Sequence, residues 1–259
     1  MMFFAQCRRG AVGFTLMLAA GCGSQNDSIT TPVVSSTSTA PAGVYEGTWT
    51  SASTGTSTDV TAFVDSDDKM MLFDDTGALI ASGAYSTVES ASSISWTARL
   101  FETSSSTTTI TTLSGEGSYE KGSTILMTLT LSTGVTGVLS LTYDEDAYET
   151  KSDVTLIEGT WGIEDAYDAT TLSLTVSSDG TFSGTDEDDC TYSGTFSIID
   201  QAYNLYEVSL TTTCDSSSTS TTTTGLATLQ AATTTAGDDT LVMVTASTSA
   251  AELLLLTPQ

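Results

Sequence analysis

The sequence predicts an all-β chain: two small antiparallel β-barrel or β-sandwich domains from a divergent internal duplication, after a signal peptide and a disordered tether. Three observations predict it. Apolar and polar residues alternate along short segments from Val44 onward, the tetrapeptide Glu-Gly-Thr-Trp occurs twice, and Ser, Thr and Gly fill the remaining positions without a run of helical period.

In chain order, the first element is an export signal. Arg8 and Arg9 precede an apolar run, AVGFTLMLAA at residues 11–20, which is too short to span a bilayer and ends in small residues. A cysteine then stands where the mature chain should start, as Ala19-Ala20-Gly21-Cys22. This resembles the lipobox of bacterial lipoproteins. The resemblance implies that residues 1–21 are removed and that Cys22 is the lipid attachment site. Several acyl chains on one residue would hold the protein to a membrane far more firmly than a single reversible chain. Gly23 rather than Asp follows the cysteine, which by the same resemblance implies sorting to the outer membrane, so the expected location is the bacterial cell envelope.

Residues 22–43 come next, rich in Ser and Thr, with Pro32 and Pro41 and few large apolar groups. Such a segment cannot bury enough surface to offset its ordering entropy, so it is expected to be a lipidated tether, with folded structure beginning near Val44.

Beyond it the strands announce themselves by their period. In STILMTLTLS, Ile125, Met127, Leu129 and Leu131 share one face while Thr128 and Thr130 share the other; in TLSLTVSSDG, Leu172, Leu174 and Val176 do the same before a Ser-Asp-Gly turn. The repeat pairs YEGTWT at residues 45–50 with IEGTWG at residues 157–162. DDTGAL (74–79) and SSDGTF (177–182) are expected to be equivalent turns, and Gly137 and Gly225 equivalent strand starts. The two domains are expected at 44–150 and 151–259, with the boundary in the acidic segment 144–155. Each is long enough to hold a core.

Gly47-Thr48-Trp49 and Gly159-Thr160-Trp161 open the two copies and resemble the Gly-Xaa-Trp signature of lipocalins and related calycin barrels. The resemblance implies that each tryptophan closes one end of an up-and-down barrel; a sandwich with a tryptophan plug remains the alternative. Either way Trp49 and Trp161 are expected to be buried, and so is Trp96, which alternates with Ile94, Ala98 and Leu100.

Cys190 and Cys214 are predicted to form a disulfide. A turn over residues 200–204 would pair Ile198 with Tyr206, Phe196 with Val208, and Cys190 with Cys214, on one face of a hairpin in an exported chain. No Cys-Xaa-Xaa-Cys occurs, so a redox pair is not expected. Cys7 leaves with the signal.

Charge and composition exclude several functions. The chain has 32 acids, six bases and a formal net charge of −26, and removal of residues 1–21 leaves only Lys69, Arg99, Lys121 and Lys151 as bases. Such a surface repels nucleic acid and anionic headgroups, so membrane contact must come from the anchor. There is no histidine, which removes Ser-His-Asp and Cys-His nucleophile systems, and no Ser-Xaa-Xaa-Lys; an enzyme is not expected and no cofactor is implied. Acidic runs at residues 65–68, 144–146 and 186–189 lack the spacing of a calcium loop and are expected to be solvated turns, with no metal site. The expected function is therefore a non-catalytic binding or interaction module whose partner is an envelope protein, a glycan or a small ligand. A lipocalin-like carrier of an apolar ligand and a purely structural envelope component are the alternatives. Filled cores would favour surface-mediated binding over carriage.

Overall fold

The alternating segments close on themselves twice. The computed structural model describes residues 40–104, 107–164, 170–214, 219–231 and 239–259; the expected signal peptide, Cys22 and the tether up to residue 39 lie outside the described residues. Among those described, strands β1 (Gly43–Ser51), β2 (Ser57–Val64), β3 (Lys69–Phe73), β4 (Leu79–Val88), β5 (Ser93–Ser104), β6 (Thr107–Glu120), β7 (Thr124–Leu131) and β8 (Thr136–Tyr143) form one closed up-and-down barrel. β1 pairs with both β2 and β8, all antiparallel. Two single-turn helices, α1 (Glu145–Tyr148) and α2 (Val154–Ile157), lead to β9 (Gly159–Glu164), β10 (Thr170–Val176), β11 (Thr181–Asp186), β12 (Cys190–Ile198), β13 (Tyr206–Cys214), β14 (Thr219–Gln230), β15 (Thr240–Ala246) and β16 (Ala251–Pro258), which close a second barrel. The fold is two eight-stranded barrels rather than sandwiches.

Period-two alternation delivers the two interiors. In β7 the burial alternates residue by residue, with Ile125, Met127, Leu129 and Leu131 inside. Trp96, Leu100, Leu113 and Leu141 join them in the first barrel, and Leu174, Phe182, Phe196, Tyr206, Val208 and Leu256 fill the second. Trp49 and Trp161 are buried inside their respective barrels. Gly137 is explained by Trp49: a Cβ there would lie 2.4 Å from the indole nitrogen, so only glycine lets β8 pass the ring.

Several strands depart from alternation, and together they form a third core. β3, KMMLF, is buried at four consecutive positions: Met70 and Leu72 belong to the first interior, while Met71 and Phe73 point outward with Val44, Phe63, Ile80 and Phe101. Likewise Leu241 and Met243 of β15 face the second interior, and Val242, Val244 and Ala246 face out. The two outward sets meet, with Leu226 and Leu205, in one apolar cluster between the barrels. A strand covered on both faces reads as a continuous apolar run rather than an alternating one. The described residues of both barrels accordingly fall in one compact unit.

The connector closes the edge of this interface. Asp144 caps α1 by accepting from the Ala147 amide, and Asp153 caps α2 by accepting from that of Thr155. These helices were not expected, because four-residue elements carry too few positions to show a period. Tyr148 stacks on Tyr203 at 4.6 Å, and the buried Asn204 side chain donates to the carbonyls of Ala147 (3.0 Å) and Leu229 (2.7 Å) and accepts from the Leu229 amide. Lys69 and Glu207 add an ion pair across the rim at 3.0 Å, between partly exposed side chains that screen it.

The repeat is less extensive than the sequence suggests. Glu-Gly-Thr-Trp does recur in corresponding strands, in the middle of β1 and at the start of β9. DDTGAL, however, joins β3 to β4 whereas SSDGTF joins β10 to β11, and Gly137 lies in β8 whereas Gly225 lies in β14. These marks are corrected from equivalents to independent uses of the same chemistry, since any tight antiparallel turn favours Asp and Gly.

Phe73→Ala is expected to cost about 3–5 kcal/mol although Phe73 lies in neither barrel's interior. Leu126→Ala, on an exposed outer position of β7, is expected to change stability by less than about 0.5 kcal/mol. Urea unfolding followed by tryptophan fluorescence distinguishes the two, and equal costs would contradict the shared core.

Candidate functional site

The interior of the second barrel changes chemistry at one end. The lower positions are apolar and end at Trp161, whose indole N–H donates to the Ile157 carbonyl at 2.8 Å. Toward the opposite end, where β11 runs into β12 and β13 ends, the same inward phase carries polar groups. Tyr192 lies opposite Thr212, and Thr212 opposite Thr221. Glu252 lies opposite Thr245, whose hydroxyl receives that of Thr223 at 2.9 Å. Thr212, Cys214, Thr221, Thr223, Ala250, Ala251 and Glu252 surround a recess of about 240 Å³.

The rim of this recess is held by covalent and polar ties. Cys190 and Cys214 stand directly opposite in register and are joined by a disulfide, as expected from their spacing. Asp186 accepts from the amides of Asp188 (3.0 Å) and Cys190 (2.8 Å) through one carboxylate oxygen and from the Tyr192 hydroxyl (2.9 Å) through the other. Burial, then the hydrogen bond to Asp186, raises the Tyr192 phenol well above its ordinary value and keeps it a donor. Glu252 differs: among the described residues its carboxylate has no hydrogen-bond or ion-pair partner. Burial, reinforced by the charge of Asp186, raises its pKa.

The acidic runs are turns. Asp65, buried, accepts from the amides of Asp67, Asp68 and Lys69 at 2.8–2.9 Å. Asp144 caps α1 and Asp186 ties the 187–189 turn. Among the described residues no group of three or more His, Cys, Asp or Glu side chains is placed to hold a metal ion. A second concavity of about 400 Å³ runs past Glu46, Thr142, Tyr143, Asp144, Glu145 and Asp146 at the end of the first barrel. Its chemistry is that of a solvated acidic groove, with the Tyr143 hydroxyl donating to Glu149 at 3.0 Å.

Of the residues singled out in the sequence, Cys190 and Cys214 are therefore brought together, Trp49, Trp96 and Trp161 are buried in the barrels, and Cys22 lies outside the described residues. Sequence reasoning missed Glu252, Thr212, Thr223 and Thr245. Their signal is the inward phase of β13 to β16, where a glutamate falls in step with Leu254 and Leu256. The chain matches no protein-family model, no curated protein and no solved structure.

Replacing both Cys190 and Cys214 by alanine is expected to cost about 3 kcal/mol, read as a lower urea midpoint that matches that of the reduced wild type. A carboxyl whose pKa is raised on folding opposes the native state once it ionises, so that cost is present above the raised value and disappears as pH falls below the ordinary 4.5. Glu252→Gln is accordingly expected to raise Tm at pH 7, with the gain over wild type vanishing below pH 4.5; a gain that persists in acid would assign the effect to packing.

Proposed function

We propose that the chain is a non-catalytic binding or interaction module of the bacterial cell envelope, held to the outer membrane by lipid on Cys22 and engaging its partner through the exterior of the fused barrels. The filling of both interiors supports surface binding over ligand carriage. Trp96, Leu100, Met127 and Leu129 occupy the first, and Phe196, Tyr206, Val208 and Leu210 the second, each almost wholly buried. A carrier barrel needs an apolar cavity large enough to enclose most of its ligand. Neither recess is such a cavity: one is an acidic groove beside the first barrel, and the other, at the mouth of the second, carries Glu252 and three threonines beside Ala250 and Cys214.

The envelope part of the reading rests on the opening segment, Arg8 and Arg9 before an apolar run that ends at Cys22. The interaction part is supported by the way the barrels are joined. A shared apolar core holds the outer strands of one barrel against those of the other, so the exposed loops and strand faces keep fixed relative positions. Preorganised surfaces lose less entropy on association.

The test has two arms. Intact-mass analysis of membrane-extracted protein is expected to give residues 22–259 plus a lipid adduct, and Cys22→Ser is expected to release the chain or leave it unprocessed in the inner membrane. Outer-membrane location unchanged by Cys22→Ser would overturn the anchor. Titration with the apolar fluorophore N-phenyl-1-naphthylamine is expected to show no saturable one-to-one site; a stoichiometric site quenched by interior substitutions such as Leu129→Trp would restore the carrier reading.

A further inference from the structure

We propose that the mouth of the second barrel is a binding site for a primary ammonium group borne on a short methylene stem, with Glu252 as its counter-ion. The inference rests on the geometry of the second barrel alone, so it stands or falls apart from the reading of Cys22.

Four features of the recess specify this ligand chemistry. First, Glu252 is an inward-facing carboxylate without a hydrogen-bond or ion-pair partner among the described residues, and no base lines the recess. A half-buried charge left unneutralised is costly to the free protein and is relieved by a complementary cation. Second, the remaining polar groups are hydroxyls, from Thr212, Thr221 and Thr223. An ammonium group has three donors and no acceptor, so one carboxylate and two hydroxyl oxygens complete its shell. Third, Ala250 and Cys214 of the disulfide also line the recess, small apolar neighbours that suit a methylene stem rather than a hydrated ion. Fourth, the volume of about 240 Å³ suits a small ligand and lies below the range of sites that enclose a drug-sized one.

The same features argue against other occupants. A divalent cation takes several charged or carbonyl oxygens, and the described residues offer no group of three or more acidic or thiol ligands. An anion would face Glu252 and Asp186 without a base. A neutral alcohol would leave the Glu252 charge uncompensated. The disulfide and the Asp186–Tyr192 hydrogen bond pin β12 to β13 and to the 187–189 turn, so the mouth is formed before the ligand arrives. The ammonium has two possible sources, a free small amine or a lysine side chain presented by another protein, and both share the chemistry that Glu252 reads.

Ligand-observed NMR titration of the full-length protein tests this. n-Butylammonium is expected to bind saturably at one site while n-butanol does not. Glu252→Gln is expected to weaken binding at least about tenfold, whereas Glu116→Gln, on the exposed outer face of β6, leaves it unchanged. Thr212→Val, which keeps the carboxylate, is expected to weaken it several-fold and serves if Glu252→Gln does not fold. Nα-Acetyl-lysine methylamide binding as well as n-butylammonium assigns the site to a protein-borne lysine, and its exclusion assigns the site to a free amine. Absence of saturation, equal binding of n-butanol, or wild-type binding by a folded Glu252→Gln protein would overturn the proposal.

Discussion

The shared apolar face between the barrels is the constraint on which the rest of the molecule depends. An eight-stranded barrel satisfies its backbone by closure and needs only one apolar face, the inner one. Here β2, β3, β4 and β15 carry a second apolar set on the outer face, and Phe63, Met71, Phe73, Val242 and Val244 would be exposed in either barrel alone. Burying a side chain of this size contributes about 1.5–3 kcal/mol. The connector is shaped by the same demand: α1 brings Ala147 and Tyr148 onto the edge of the cluster, and Asn204 satisfies the carbonyls that this packing takes out of water.

The interiors were legible in the sequence and the join was not, for a physical reason. Strands with one wet face alternate, and β7 and β8 do so residue by residue. Strands wet on neither face lose the alternation, and runs such as Met70–Phe73 in β3 then look like ordinary apolar segments with no indication of what covers them. The closure of barrel against sandwich depends on pairing between residues far apart in sequence, Tyr45 with Tyr143 and Trp161 with Pro258, which local patterning does not encode. The disulfide was legible because its two cysteines belong to one hairpin, where a single turn sets the register. The polar mouth was hidden by composition: β14 carries threonine on both faces, so an inward Thr223 cannot be told from an outward Thr224 until the barrel is closed.

Part of the acidity has a structural role. Asp65, Asp74, Asp144, Asp153, Asp179, Asp186 and Asp200 each accept from backbone amides in a turn or at a helix start. Up-and-down barrels need many reversals, and aspartate supplies the acceptor that a reversal leaves wanting. Glu252 stands apart from this pattern, because it sits within a strand and faces inward where no amide is available.

The order of the strands along the chain gives the shared face a temporal meaning. The first barrel is complete by Tyr143, yet the residues that cover its apolar outer surface, Leu226 and those of β15, follow much later, in β14 and β15. A chain that emerges from its N-terminus carries that surface uncovered until β14 and β15 have been delivered. During this interval Met71 and Phe73 form a sticky patch on an otherwise folded barrel, the condition that favours self-association. The strongly negative charge then acts as more than a solubility device: it keeps half-finished molecules apart until their own last strands arrive.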